Sequence, residues 1–499
     1  LTAPRKDGQV RALDRAYRQA GVSPAEVGLV EAHGTGTVVG DRTELATLTE
    51  VYTNAGAAPG SCVLGSVKSQ IGHTKCAAGM AGLIKAALAI HHGVLPPTLN
   101  IKKPNSAWDR ATSPFVFLEQ ARPWATEDRI AAVSAFGFGG ANFHAVLMSH
   151  RSAAARAQPV WPSELFLFRG ADRAAALACV ERVEQRLGDT PRLRDLARSV
   201  CASGSGPVQI AIVADGIDDL RDKLAMARDG RADRRGVFVA GAEIAPGKLA
   251  FLCPGQGSQR PGMLADLFVA FPRLHRWLEL GAKWVPMMFP PAAFTRDQRA
   301  AQAEALTDTR VAQPALGVVD LAVAELLGSF GVRPDMAGGH SYGELAALCV
   351  GGVFGDADLL ALSEARGEYI LAEAGTDPGT MAAVAADAAT VAPIIAGCEG
   401  VVIANHNSPK QCVLSGSTSA IEMALVLVGA AGLTARRIPV ACAFHSSIVA
   451  GARDALARRL AVMQVEAPRI PVWSNTTAQP YPSDPDRVRE LLAGQLAEP

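Results

Sequence analysis

Gly339-His340-Ser341-Tyr342-Gly343 is the stretch whose reading decides the rest of the chain. It fits G-x-S-x-G, in which glycines let the backbone turn sharply from strand to helix and hold a serine hydroxyl exposed above a sheet. The following helix is expected from Glu344. The backbone N–H after the serine, that of Tyr342, then faces the oxyanion of a tetrahedral intermediate. In a chain with 48 glycines, the pattern alone favours an ordinary glycine turn. Three distant features shift that balance. Leu249–Leu252 reads as a buried strand leading into Gly255-Gln256-Gly257-Ser258-Gln259, where glycines permit close approach and Gln256 offers a second oxyanion N–H. Arg366 lies 25 residues past Ser341. His445, in Ala443-Phe444-His445-Ser446, is a candidate general base.

Between the serine and that histidine the pattern is strand, helix, strand, strand, helix, strand. The strands are Met381–Ala385, Val401–Ala404, Gln411–Ser415 and Thr434–Pro439. This order predicts a ferredoxin-like subdomain, about 378–440, inserted in an α/β core. Upstream, a polar, small-residue connector begins at Ser149. A small α/β unit follows it, with strands at Leu165–Phe168, Val208–Ala214 and Gly236–Ala240 and helices at Ala171–Leu187, Leu193–Cys201 and Ile217–Arg228. It carries no chemically suggestive cluster and reads as a spacer. Residues 1–148 end in two strands joined by the glycine turn of Val133-Ser-Ala-Phe-Gly-Phe-Gly-Gly-Ala-Asn-Phe-His-Ala-Val-Leu147, after a helix at Gly79–His92. The domains expected are therefore 1–148, 149–246 and 247–499.

Composition narrows the classes. The 499 residues carry 48 Lys+Arg against 48 Asp+Glu, with 49% hydrophobic and 19% charged residues. That is ordinary globular usage and excludes a disordered or fibrous chain. A zero formal charge argues against nucleic acid as the main partner. The apolar stretches Ala77–Ile90 and Ala420–Leu433 are short for a membrane span and carry Lys85 and Glu422. Nine cysteines without a CxxC pair fit a reducing cytoplasm and no metal site. The N-terminus, without a Met or an apolar signal core, reads as a fragment entered mid-domain.

GQGSQ, GHSYGE, an Arg 25 residues on, IANHNSPKQCVLSG and CAFHS stand in one order from Lys248 to the C-terminus. Together they resemble the malonyl-type acyltransferase domain of fatty acid and polyketide synthases. The resemblance implies an α/β-hydrolase-like core with Ser341 as acyl-accepting nucleophile and His445 as its base. Gln256 and Tyr342 would form the oxyanion hole, Arg366 would grip the free carboxylate of malonyl, and His340 would tune the elbow. Phe444 would border the acyl pocket and fill the space an α-methyl branch needs, favouring malonyl. Cys442 departs from the His more common at that motif position. The resemblance also places the backbone group that orients the histidine after the Leu-Ala-x-Gln-Leu-x-x-Pro stretch. Since Leu492–Pro499 is that stretch, the orienting group is expected beyond Pro499.

Residues 1–148 carry Glu31-Ala-His33-Gly-Thr-Gly-Thr37 and Lys68-Ser-Gln-Ile-Gly-His73. Two histidines on glycine turns beside a lysine suit polarising a thioester carbonyl or helping a carboxylate leave. Singly, each histidine is more often structural. With the glycine turn they resemble the C-terminal half of a ketosynthase of the thiolase-like condensing fold. His33 and His73 match its active-site histidines, Lys68 its lysine, and Phe138 its aromatic gate. The ketosynthase cysteine belongs to the half that would precede Leu1, and Cys62 and Cys76 read as small buried residues, so no condensation is expected. Val38-Val-Gly-Asp-Arg-Thr-Glu44, with Arg42 where Pro is usual, resembles iterative synthases of the polyunsaturated fatty acid, enediyne and heterocyst-glycolipid kind.

The expected function is transfer of malonyl from CoA, through a Ser341 ester, to the phosphopantetheine thiol of an acyl carrier domain. No bound cofactor or metal is implied, and the parent enzyme is expected to be a cytoplasmic homodimer with no nucleic-acid or membrane partner. The alternatives are a serine esterase or thioesterase-like hydrolase, which has no use for a buried Arg366, and an inactive carrier-docking fragment.

Overall fold

The computed structural model describes residues 3–137, 140–150, 157–189, 192–241, 247–373, 377–438, 442–446 and 450–496. Contacts divide the chain into two compact units, Leu1–Arg156 with Lys248–Pro499, and Ala157–Gly247.

In the first unit, strands β1 (Leu29–Glu31), β2 (Cys62–Gly65), β3 (Phe115–Val116), β4 (Ile130–Phe136) and β5 (Asn142–Met148) form a sheet ordered β3-β2-β1-β4-β5. Its first four strands run parallel; β5 returns antiparallel to β4, pairing Val133 with Ala145. β1 and β2 are buried throughout, as expected of parallel strands covered on both faces. Helix α1 (Ala78–His92) covers one face, and Gly93 in the left-handed region ends it.

The second unit is a three-stranded antiparallel sheet of β6 (Glu164–Arg169), β7 (Val208–Ala214) and β8 (Val237–Val239), with β7 central. Helices Arg173–Arg186, Leu193–Ala202 and Ile217–Arg228 supply the rest of its core. Their bounds lie within two residues of those expected, because the apolar period is regular in each.

From Ala250 the first unit continues. Strands β9 (Ala250–Cys253) and β10 (Met336–Gly339) pair in parallel. Helices α2 (Thr309–Ser329), α3 (Gly343–Val350) and α4 (Asp356–Glu373) follow the chain around them. Then come β11 (Thr380–Val384), a helix at Ala388–Ile395, β12 (Val401–Ser408), β13 (Gln411–Gly416), a helix at Thr418–Ala430 and β14 (Ala435–Ile438). Their antiparallel order, β12-β13-β11-β14, is that of a ferredoxin-like sheet, as expected. β15 (Val472–Trp473) adds itself to the far side of β10, so β10 is the central strand of a three-stranded parallel sheet.

Helix α2 is long and apolar enough to cross a membrane by length and composition, a feature the sequence reading passed over. Much of it, including Gln313 and Asp320, is buried in the protein core.

Candidate active site

The central strand β10 ends at Gly339, where the chain turns into α3. A Cβ at Gly339 would lie 1.9 Å from the carbonyl carbon of Gly343, and one at Gly343 would lie 2.2 Å from the Cys253 carbonyl oxygen. Both positions therefore require glycine. Ser341 sits at the apex with φ of 51°, in the left-handed region that costs a side-chain-bearing residue about 1–2 kcal/mol. Such strain survives only where surrounding contacts enforce it.

The Ser341 hydroxyl lies 2.9 Å from Nε2 of His445, which also has a positive φ, 55°. His445 is buried, and its Nδ1 lies 3.0 Å from the backbone carbonyl oxygen of Gln495. A carbonyl only accepts, so the proton is on Nδ1 and Nε2 is the acceptor for the serine proton. That is the tautomer a general base needs. The orienting carbonyl thus lies within the chain at Gln495, not beyond Pro499 as the sequence reading expected. The end of the helix at Pro485–Gly494 brings it under the imidazole.

The loop after β9 packs against the elbow, with a Cβ at Gly255 only 2.4 Å from the His340 carbonyl oxygen. Among the described residues, no acceptor meets the backbone N–H of Gln256 or Tyr342. Two open N–H groups flanking a nucleophile are what an oxyanion hole requires. His340 lies on the elbow with Nε2 2.9 Å from Oδ1 of Asn407, on β12 of the ferredoxin-like subdomain.

Arg366, on α4, is 1% exposed. Its Nη1 donates to Oε1 of Gln313 at 2.9 Å, and Gln313 is held in turn by Thr309 at 2.7 Å. Nε and Nη2 have no partner among the described residues. Burial lowers the guanidinium to about 10, so it stays charged at neutral pH. A buried cation with two open donors is a socket for a carboxylate. Phe444 is buried beside His445, its carbonyl accepting from the Ser415 hydroxyl at 2.6 Å.

The second cluster lies on the β1 side of the first unit. The His33 and His73 rings meet edge-on with centroids 6.1 Å apart. Nδ1 of His33 accepts the Phe136 N–H at 3.3 Å, which leaves the proton on Nε2. Burial, then the charges of Lys68 and His73, push His33 down to about 4. Burial also lowers Lys68, while Glu31, Glu44 and Asp41 oppose that shift. Glu44 is buried beneath this turn and accepts the N–H groups of His33 and Gly34 at 2.8 and 2.9 Å. Phe138 lies outside the described residues. Cys62 is buried as expected, but Cys76 is exposed, because it sits on the short turn Lys75–Ala77 at the surface rather than on a strand.

Family comparison agrees with this layout. The β-ketoacyl synthase C-terminal domain matches residues 1–102, the ketoacyl-synthetase C-terminal extension 104–204, and the acyl transferase domain 250–493. Polyketide synthase GfsA of Streptomyces halstedii is 36% identical over 96% of this chain, which spans 6% of that protein. Mycoketide-CoA synthase of Mycobacterium tuberculosis is 36% identical over 96% of this chain, which spans 12% of it. The chain carries β-ketoacyl synthase C-terminal and acyl transferase domains, and its curated relatives are polyketide synthases. Among solved structures, the acyltransferase domain of an iterative polyketide synthase of enediyne biosynthesis is 29% identical, with a TM-score of 0.52 over 68% of this chain and 81% of that one. The acyltransferase domain from the second module of the salinomycin polyketide synthase is 28% identical, with a TM-score of 0.52 over 67% and 77%.

The acyl transferase domain carries Ser341, His445, Gln256, Tyr342 and Arg366 in one constellation with Phe444. His33, His73 and Lys68 form a separate cluster in the ketosynthase C-terminal half. Sequence reasoning missed four polar residues of the acyltransferase site: Gln313, Glu344, Asn475 and Gln495. The Glu of GHSYGE and the Asn of WSNTTA stand in or near recognisable stretches, but only the adjacency of β10 and β15 shows that they meet.

Proposed function

We propose that this acyltransferase loads malonyl from CoA onto Ser341 and delivers it to the phosphopantetheine thiol of an acyl carrier domain. The observation that carries the substrate is Arg366: its Nε and Nη2, unpartnered among the described residues, offer a bidentate grip on a free carboxylate. Nε2 of His445 takes the hydroxyl proton as Oγ attacks the thioester carbonyl. The N–H groups of Gln256 and Tyr342 hold the oxyanion. Collapse breaks the carbon–sulfur bond, and His445 returns its proton to the departing CoA sulfur. The carrier thiol then attacks the malonyl ester by the reverse sequence, with His445 as base again. The Phe444 ring disfavours an α-methyl branch, a discrimination of about 1–3 kcal/mol.

The remaining readings rest on other features. His33 and His73 serve the decarboxylation and carbanion step of a condensing enzyme, with His33 as a neutral Nε2–H donor. Nine free cysteines support a cytoplasmic setting. The stretch Val38–Glu44 supports the iterative subfamily, and family resemblance alone supports a dimeric parent.

The test is a transfer assay. Malonyl-, methylmalonyl- and acetyl-CoA are each offered with a pantetheine-bearing carrier protein, and carrier-bound acyl group and free acid are measured. Malonyl-carrier in excess of free acid, with little acetyl transfer, is expected. Free malonic acid as the main product would revive the hydrolase reading, and equal use of acetyl-CoA would remove the role of Arg366.

A further inference from the structure

Ser341 holds a backbone conformation that a serine does not favour, so something must hold it there. On one side of the elbow β9 does so, with the His340 N–H donating to the Cys253 carbonyl at 3.0 Å. On the other side the backbone ladder runs out. β15 pairs with β10 through Val472 and Trp473 and then turns away, the Ser474 N–H donating to Gln479 instead.

Asn475 takes up the pairing with its side chain. Nδ2 donates to the Gly339 carbonyl at 2.8 Å, and Oδ1 accepts the Ser341 N–H at 2.8 Å. In a parallel ladder, one residue's N–H and C=O bond to the carbonyl before and the N–H after its partner. The Asn475 amide makes that pair of bonds around His340, as a peptide of a longer strand would. Its own backbone N–H donates to Oε2 of buried Glu344 at 3.0 Å, and the other Glu344 oxygen accepts the Tyr481 hydroxyl. The Ser341 carbonyl is held separately by Nε2 of Gln495 at 2.9 Å.

We propose that Asn475 is a positioning residue of the acyltransferase. Its amide extends the sheet past Gly339, holds Ser341 left-handed, and so aims the hydroxyl at His445. The hydrogen bonds of Asn475 go to Gly339, Ser341 and Glu344, so it acts through the elbow rather than on the acyl group. It is exposed, so removing its side chain leaves no cavity in the core. The inference rests on Ser341 being the acyl acceptor.

The experiment measures single-turnover acylation of Ser341 by malonyl-CoA over a range of concentrations, in wild type, Asn475→Ala and Asn475→Asp, with thermal unfolding alongside. Asn475→Ala is expected to lower the limiting rate by about 30- to 100-fold, a loss typical of a misplaced reacting group. The half-saturating malonyl-CoA concentration should stay within about twofold, because the Arg366 socket is untouched. Asn475→Asp supplies the signature. Only a protonated Asp both accepts the Ser341 N–H and donates to Gly339, so its rate relative to wild type should rise as pH falls. A rate for Asn475→Ala within threefold of wild type, a loss confined to half-saturation, or a flat Asn475→Asp ratio would each overturn the proposal. If Asn475→Ala fails to fold, the Asn475→Asp ratio decides alone. If wild type shows no Ser341-dependent malonyl adduct, the transfer reading fails instead. Asn475 is then judged by labelling with a fluorophosphonate, whose phosphorus bonds to Oγ as fluoride leaves and His445 takes the proton. Equal labelling of all three proteins would overturn the positioning role.

Discussion

His445 and His33 are both presented by Gly-containing or strained backbone, yet hydrogen bonding gives them opposite tautomers. His445 donates through Nδ1 to the Gln495 carbonyl and keeps Nε2 bare toward the Ser341 hydroxyl. His33 accepts a backbone N–H at Nδ1 and carries its proton on Nε2. In the proposed function the first is therefore the base for a hydroxyl that stands 2.9 Å away. In the proposed function the second is a neutral Nε2–H donor to the charge that develops on a thioester or carboxylate. Backbone groups, rather than motif membership, assign the two roles.

The sharpest way to break this contrast is to remove each imidazole. His445→Ala should slow acylation of Ser341 by at least about 10³-fold, as loss of a triad base does. His33→Ala should leave that rate unchanged. A comparable loss in both would mean that the two clusters act on one reaction. Intact-mass kinetics with malonyl-CoA reads either outcome.

Arg366→Met comes next in size. A buried cation with two open donors costs desolvation energy that an apolar chain of similar length avoids. Malonyl loading should fall by about 10²-fold or more, while the melting temperature does not drop by more than a few degrees. A collapse of stability would show that Arg366 serves the core rather than the substrate. Smaller still, Phe444→Ser should raise the methylmalonyl-to-malonyl ratio by about 10- to 100-fold in a competition assay, the range of one branch in an apolar pocket.

Much of this was legible in the sequence because close approach leaves glycine signatures. Gly339, Gly343 and Gly255 are required by contacts of 1.9–2.4 Å, and they frame Ser341 and Gln256 in the text of the chain. The ferredoxin-like insertion was legible because short strand-like runs and longer helical stretches follow one another in the order that topology requires. The partners that fix the catalytic residues left no such mark. Asn475 and Gln495 lie 134 and 154 residues from Ser341 and use amides that occur equally on any surface. The His445 partner is a backbone carbonyl, which every residue possesses, so no residue type could announce it. Cys76 was misread because residue type alone favours burial of cysteine, whereas a short turn put it in solvent.

The gentlest probe concerns His33. Burial, with Lys68 and His73, lowers it from 6.5 to about 4, so it should remain neutral with Nε2 protonated from pH 8 to pH 5. Because its folded value lies below its unfolded one, this group withdraws stability as pH falls from about 6.5 toward 4. Nitrogen-15 shifts of labelled histidines would show the tautomer, and a His33 titration near 6.5 would contradict it.

The most direct test of a complete nucleophile–base pair in this chain is intact mass after brief exposure to malonyl-CoA, in wild type and Ser341→Ala. Wild type should gain one malonyl group that a carrier thiol removes, and Ser341→Ala should gain none. An adduct that persists in Ser341→Ala, or no adduct in a folded wild type, would contradict the assignment of Ser341 and His445.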